Sequence, residues 1–180
     1  MNTVEKYYPW FAALGVTISI LVLLGYFKDE NREWKYWQRE YIQQETEAAT
    51  TEQELERAMR IPVEIRQILP IGLDRIDRCT SCHIAVEDPL YDGKEQPLAY
   101  HPNHSLHPVE KFGCTVCHRG QGLATEREAA HGNVKHWDQP MLVMEHIEAS
   151  CAKCHAAAGI PGASRLVRGA RLFEEQGCIG

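Results

Sequence analysis

A basic surplus is the first thing missing: 19 Lys and Arg stand against 25 Asp and Glu, for a formal net charge of −6 and a pI near 5.8. Gripping a phosphate backbone takes clustered cations, so nucleic acid is excluded as a partner. Long apolar runs are scarce too. Mean hydropathy is −0.38, and only Pro9 to Phe27 runs for 19 residues without a charge, which confines any membrane part to one helix. Aromatic residues make up only 8% of the 180 residues. That length allows one ordinary domain with appendages and excludes a large multidomain enzyme. Between Lys28 and Arg60 there is neither Pro nor Gly, so nothing in that stretch interrupts a helix.

At about 1.5 Å per residue the apolar run reaches roughly 28 Å, the thickness of a hydrocarbon core. Tyr7, Tyr8 and Trp10 flank one end, and Tyr26, Phe27, Trp34, Tyr36 and Trp37 stand at or beyond the other, where amphipathic rings favour the headgroup level. The run is longer than a signal-peptide core and no small-x-small site follows Tyr26, so residues 1–27 read as an uncleaved signal anchor rather than a cleaved leader. Lys28, Arg32, Lys35 and Arg39 outnumber Lys6 and the amino terminus. Taken alone, the positive-inside rule would put the C-terminal side in the cytoplasm.

The Glu-, Gln- and Arg-rich stretch that follows predicts a helical stalk over 28–70. Trp34, Trp37 and Tyr41 fall at i, i+3 and i+7, an aromatic stripe along one helix face. The stripe suits either docking on a neighbouring membrane subunit or packing against the chain's own domain or the headgroups. Thr51 with Glu54 makes a capping box that starts a second helix near Glu52 and ends it before Pro62.

Six of the seven cysteines fall into one pattern: Cys79-Thr80-Ser81-Cys82-His83, Cys114-Thr115-Val116-Cys117-His118 and Cys151-Ala152-Lys153-Cys154-His155. Each is C-x-x-C-H, the attachment signature of haem c. A chance match in a chain of this composition is expected roughly 0.01 times, so three are not accidental. Two thiols three positions apart reach the two vinyl groups of one porphyrin, and the adjacent histidine turns to the iron. A zinc ribbon would leave three histidines at identical offsets unexplained, and disulfides do not repeat a two-residue loop followed by His. Thioethers are made outside the cytoplasm, which outweighs the charge bias and puts everything after the anchor on the periplasmic side of a bacterial inner membrane.

His83, His118 and His155 are then proximal ligands, and the distal ligands must come from elsewhere. His101, His104 and His107 share a Pro-bearing loop, and His131, His136 and His146 follow. His101, His107 and His131 are the first candidates, with His104, His136, His146 and Met144 in reserve. Met141 and Met144, at i and i+3, read as core packing. The abundance of His predicts mostly bis-His, low-potential sites. Motif starts lie 35 and 37 residues apart, too little protein per site for a conventional core, and the Gly and Pro between them predict short helices and loops.

Gly169-Ala170-Arg171-Leu172-Phe173 and Gly177-Cys178-Ile179-Gly180 resemble the opening of class I cytochromes c, so Cys178 reads as the first cysteine of a fourth site in a chain that continues past Gly180. The expected fold is mainly α: a transmembrane helix over 1–27, the stalk over 28–70, a trihaem domain with little or no sheet over 71–165, and the start of a further cytochrome segment over 166–180.

The anchor, the Arg32-Glu33-Trp34-Lys35 and Tyr36-Trp37-Gln38-Arg39-Glu40 stretch, Asp77-Arg78-Cys79 and the run from His107-Pro108 through Phe112-Gly113-Cys114 to Gly120-Gln121-Gly122 together resemble membrane-anchored multihaem cytochrome c subunits of bacterial quinol-oxidising complexes. The resemblance implies a cytochrome b-like or polytopic membrane partner as donor and a periplasmic cytochrome or similar protein as acceptor, with this chain a non-catalytic relay. The small tetrahaem quinol dehydrogenases are similar, but there the first motif closely follows the membrane helix. Here about fifty residues separate Phe27 from Cys79, which would lift the first site away from the bilayer. A catalytic multihaem reductase would alter one motif or leave one iron open, and neither pattern is seen.

Overall fold

The computed structural model describes residues 4–101, 106–156 and 160–178. Among these the chain is mainly helical and has no strands; one antiparallel bridge, Ile68 to Asp77, is the only β pairing. Helix α1 (Tyr8–Glu30) opens with Pro9 in its first turn, where the missing N–H costs nothing. With a single 3₁₀ turn before it, α1 forms one helix long and apolar enough to cross a membrane, and none of its apolar window is buried against the rest of the chain. The amide of Asn31 ends α1 by donating to the Phe27 carbonyl at 2.7 Å. The helix therefore runs three residues past the anchor boundary read from hydropathy.

Helix α2 (Glu33–Ala48) follows after a single extended residue, Arg32. Its first turns are tied back to the last turn of α1: Lys35 pairs with Asp29 at 2.6 Å and with Glu30 at 3.3 Å, and Arg39 pairs with Glu30. The aromatic stripe is resolved in favour of the chain's own domain. Trp34 is buried, while Trp37 and Tyr41 pack against the cluster Ile84, Ala85, Tyr91 and Leu98, joined by Ile61 and Tyr100. The Tyr41 hydroxyl donates to Asp88 and the Tyr91 hydroxyl to Glu45. Burial raises both phenols above their usual range, with the nearby carboxylates adding to it.

Gln38, wholly buried in the middle of α2, explains why no separate stalk exists. Its amide nitrogen donates to the carbonyls of Glu64 and Ser81, both at 2.8 Å, and its oxygen accepts the Glu64 N–H at 2.9 Å. Residues 28–70 are thus part of the domain, and a boundary at residue 71 cuts through it. Helix α3 (Glu52–Met59) begins on the capping box read from Thr51 and Glu54, with both reciprocal bonds made, and packs back on α2. Hydrogen bonds from Thr50 and Thr51 hold the exposed Glu54 carboxyl down to about 2.

The remaining elements are short: α4 (Val109–Phe112), α5 (Thr115–His118), α6 (Arg127–Ala130), a 3₁₀ segment over Met144–Lys153, and α7 (Ser164–Glu175). Arg165 and Leu166 donate their N–H groups to Glu148, which docks α7 on that 3₁₀ segment. Among the described residues nine hydrophobic side chains are buried, a thin core for this much chain. Met141 and Met144 are not among them; both are exposed, because Met141 lies in extended chain while Met144 opens the 3₁₀ segment, so the two do not share one helix face.

Candidate metal centres

The three C-x-x-C-H motifs fold alike. In each, the second cysteine and the histidine donate their N–H groups to the carbonyl of the first cysteine: Cys82 and His83 to Cys79 at 3.1 and 3.0 Å, Cys117 and His118 to Cys114 at 3.2 and 2.9 Å, Cys154 and His155 to Cys151 at 3.2 and 3.0 Å. One helical turn therefore sets the two sulfurs and the imidazole on the same side. All seven cysteines are free thiols.

Each motif histidine faces a second histidine from a distant segment. His83 faces His131 with ring centroids 6.4 Å apart, His118 faces His101 at 6.1 Å, and His155 faces His107 at 6.0 Å. Two imidazoles bound through nitrogens about 2 Å from opposite sides of one metal ion have centroids roughly 6.3 Å apart. All three pairs match that spacing, so the donor set fits three metal ions each held between two histidines. We call the pairs site 1 (His83, His131), site 2 (His118, His101) and site 3 (His155, His107). Of the reserve ligands, His136, His146 and Met144 are exposed and none has a ring contact to a motif histidine among the described residues, while His104 lies outside the described residues.

The pairs are interlaced. His101 follows the first motif but serves the second, and His131 follows the second but serves the first. Main-chain bonds hold this crossing: Gln121 N–H to the Ala130 carbonyl at 2.8 Å, Leu142 N–H to the His118 carbonyl at 2.9 Å, and His101 N–H to the Val86 carbonyl at 2.9 Å. Around site 1, His83 hydrogen-bonds the Gln96 side chain and the Pro97 main chain, the kind of outer contact that fixes which ring nitrogen is free to ligate. Burial first, then the facing His131, pushes the His83 imidazole below its usual range; burial and His101 do the same to His118. Both shifts favour the neutral imidazole, the form that binds metal.

Asp77 fastens the first two motifs together. Its side chain is fully buried; one carboxylate oxygen accepts the Cys79 N–H at 3.1 Å, and the other accepts those of Cys114 at 2.8 Å and Thr115 at 2.7 Å. Burial pushes this carboxyl up, but the bonds from Thr115, Cys79 and Cys114 outweigh it and leave it below its usual range. Gly113, at φ 65°, has room for nothing larger: a Cβ there would meet Asp77 at 2.9 Å. Asp77, Cys79 and Cys114 also form the one cluster of metal-type donors within 4.8 Å of one another among the described residues. Its cysteines come from different motifs and its carboxylate oxygens are already taken by N–H groups, so it suits neither a zinc ribbon nor a fourth centre.

The second and third motifs are joined by Ser150, whose hydroxyl donates to the Cys117 carbonyl at 2.6 Å, and by Lys153, whose ammonium donates to the Val116 carbonyl at 2.7 Å. Motif 2 therefore touches both others, so these bonds link the three sites in the order 1, 2, 3. Trp34 adds an independent observation. It sits one turn from Gln38 on α2, which packs on motif 1, and its indole N–H is buried without a partner. A buried donor of this kind fits a prosthetic group that brings its own acceptors.

Two features were not read from the sequence. Asp77 had a signal, an Asp two residues before a turn whose N–H it can accept. The other, the contact of residues 126–127 with α2, had none. Arg32 pairs with Glu126 at 2.9 Å and Glu33 accepts the Arg127 N–H at 3.0 Å. This corrects the expectation that fifty intervening residues lift the first motif off the membrane end. The α2–α3 hairpin carries the chain out and back, which leaves motif 1 beside Gln38 in the middle of α2.

No family model matches the chain, and no curated protein or solved structure shows significant similarity to it.

Proposed function

We propose that this chain is a membrane-anchored multihaem c-type cytochrome that relays electrons from a quinol-oxidising membrane partner to a periplasmic acceptor. The observation that carries the reading is the facing of every C-x-x-C-H histidine by a second histidine at 6.0 to 6.4 Å. Cys79 with Cys82, Cys114 with Cys117 and Cys151 with Cys154 supply the thioether sulfurs. His83, His118 and His155 ligate from the motif side, and His131, His101 and His107 from the other. Haem c, when bound, supplies one-electron exchange at iron.

The protein's part is to hold the sites close and closed. Asp77, Ser150 and Lys153 fix the motif-to-motif spacing, and two histidines at each site leave no open position for a substrate, which favours relay over catalysis. Bis-His ligation sets potentials below those of Met/His sites. The reading puts the domain on the periplasmic side, where thioethers are made, with α1 as its single span.

A denaturing intact-mass spectrum of the chain from its native membrane tests this directly. Covalent additions of three haems on residues 79–155, located by peptide mapping, are the expected result. A chain without haem would end the reading.

A further inference from the structure

The row of sites has a direction relative to the membrane helix. α1 ends at Glu30, and two of the next three residues grip the segment that carries the second ligand of site 1: the Arg32 guanidinium meets Glu126, and the Glu33 carboxylate takes the Arg127 N–H. From there α6 runs four residues, about 6 Å at 1.5 Å per residue, to His131. His131 faces His83. Site 1 thus lies one short helix away from the end of the membrane anchor.

Site 3 is held differently. It hangs from site 2 through Ser150 and Lys153, and α7 docks through Arg165 on Glu148 of the 3₁₀ segment that carries the third motif's first residues. Both of its histidines are exposed, whereas His83 and His131 are half-buried.

We infer that site 1 is the membrane-facing end of the row and the port at which it is reduced by a donor confined to the bilayer, with site 3 the outward end. This rests on the reading of the motifs as haem sites and adds a polarity to it. One electron at a time leaves the donor and enters at site 1, and the protons of an oxidised hydroquinone stay with the donor's own bases. The clasp of Arg32 and Glu33 on Glu126 and Arg127 is the surface that presents site 1 to the donor.

Two measurements decide it. In the first, the intact haem-loaded chain in phospholipid vesicles is labelled with a phospholipid carrying a photoactivatable headgroup, and labelled peptides are mapped by mass spectrometry. Label in residues 122–131 together with 28–36, and none in 144–175, is expected; label in 144–175 with none in 122–131 overturns the proposal. The second compares His131→Ala with His107→Ala in native membranes given a lipid-soluble quinol, following haem reduction by absorbance. His131→Ala should abolish reduction of the remaining sites, and His107→Ala should leave sites 1 and 2 reducible; the reverse pattern overturns the polarity. The lipid labelling uses the unmutated chain and reads placement alone, so it fails or holds independently of the haem count that tests the relay.

Discussion

Replacing Asp77 with Asn keeps the shape of the side chain and removes its charge. Three N–H groups, from Cys79, Cys114 and Thr115, converge on the carboxylate at 2.7 to 3.1 Å. An amide has one oxygen to offer them and turns its own N–H groups toward at least one donor. Hydrogen bonds to a buried charge contribute about 1.5–3 kcal/mol each and do not simply add, so a loss of about 3–5 kcal/mol is expected. Against a total stability of about 5–15 kcal/mol for a domain, that is a large fraction. Urea unfolding of the haem-loaded chain, followed by far-UV circular dichroism, should show the midpoint falling with little change in slope. The pH dependence gives a second check. The folded Asp77 titrates below its ordinary value, so its contribution is fully present above the unfolded pKa of about 3.9 and is lost as pH falls through the folded value. In the Asn variant that part of the acid destabilisation disappears. A midpoint shift worth less than about 1 kcal/mol, or an unchanged acid limb, would refute the account of Asp77 as the fastener of motifs 1 and 2.

Gln38→Leu strands two carbonyls and the Glu64 N–H, and a loss of about 2–3 kcal/mol in the same unfolding assay is expected from unsatisfied buried groups. Gly120→Ala would put a Cβ 2.4 Å from the Ala130 carbonyl at a φ of 79°, costing about 1–3 kcal/mol. Because that carbonyl precedes His131, the same variant should perturb the spectrum of site 1 and leave site 3 as it was.

What the sequence made legible is what short-range chemistry controls. The uncharged run gave α1, the Thr51–Glu54 box gave the start of α3, and the five-residue motifs gave three identical turns. His101, His107 and His131 could be singled out because Pro neighbours and loop context mark them locally. Which motif each one faces could not, since that depends on how segments 84–101 and 119–131 cross. The docking of α2 was hidden for a related reason. Its central buried residue is a glutamine, polar in any periodicity count, whose burial makes sense only once Ser81 and Glu64 are known to lie beneath it. Met141 and Met144 misled in the opposite way: the i, i+3 rule presumes one helix, and Met141 lies in extended chain while Met144 only opens the 3₁₀ segment. The linear distance from Phe27 to Cys79 misled because the α2–α3 pair turns the chain back and leaves motif 1 beside Gln38.

The crossing of segments has a consequence for assembly. Site 1 takes one histidine from each of motif 1 and the segment after motif 2, and site 2 takes one from motif 2 and the segment after motif 1. Neither pair can close until both segments are in place, and Asp77 adds a shared bond between the two motif turns. Sites 1 and 2 therefore form one cooperative unit, in which loss of His131 frees the 119–131 segment and loosens site 2 as well. Site 3 draws His107 from the loop before motif 2 and, among the described residues, is hydrogen-bonded to motif 2 through Ser150 and Lys153, so it should open at lower free energy than the other two. That gradient runs the same way as the proposed electron path: the interlocked pair includes the site proposed to face the donor, where a fixed distance matters, and the least constrained is the one proposed to meet a diffusing acceptor.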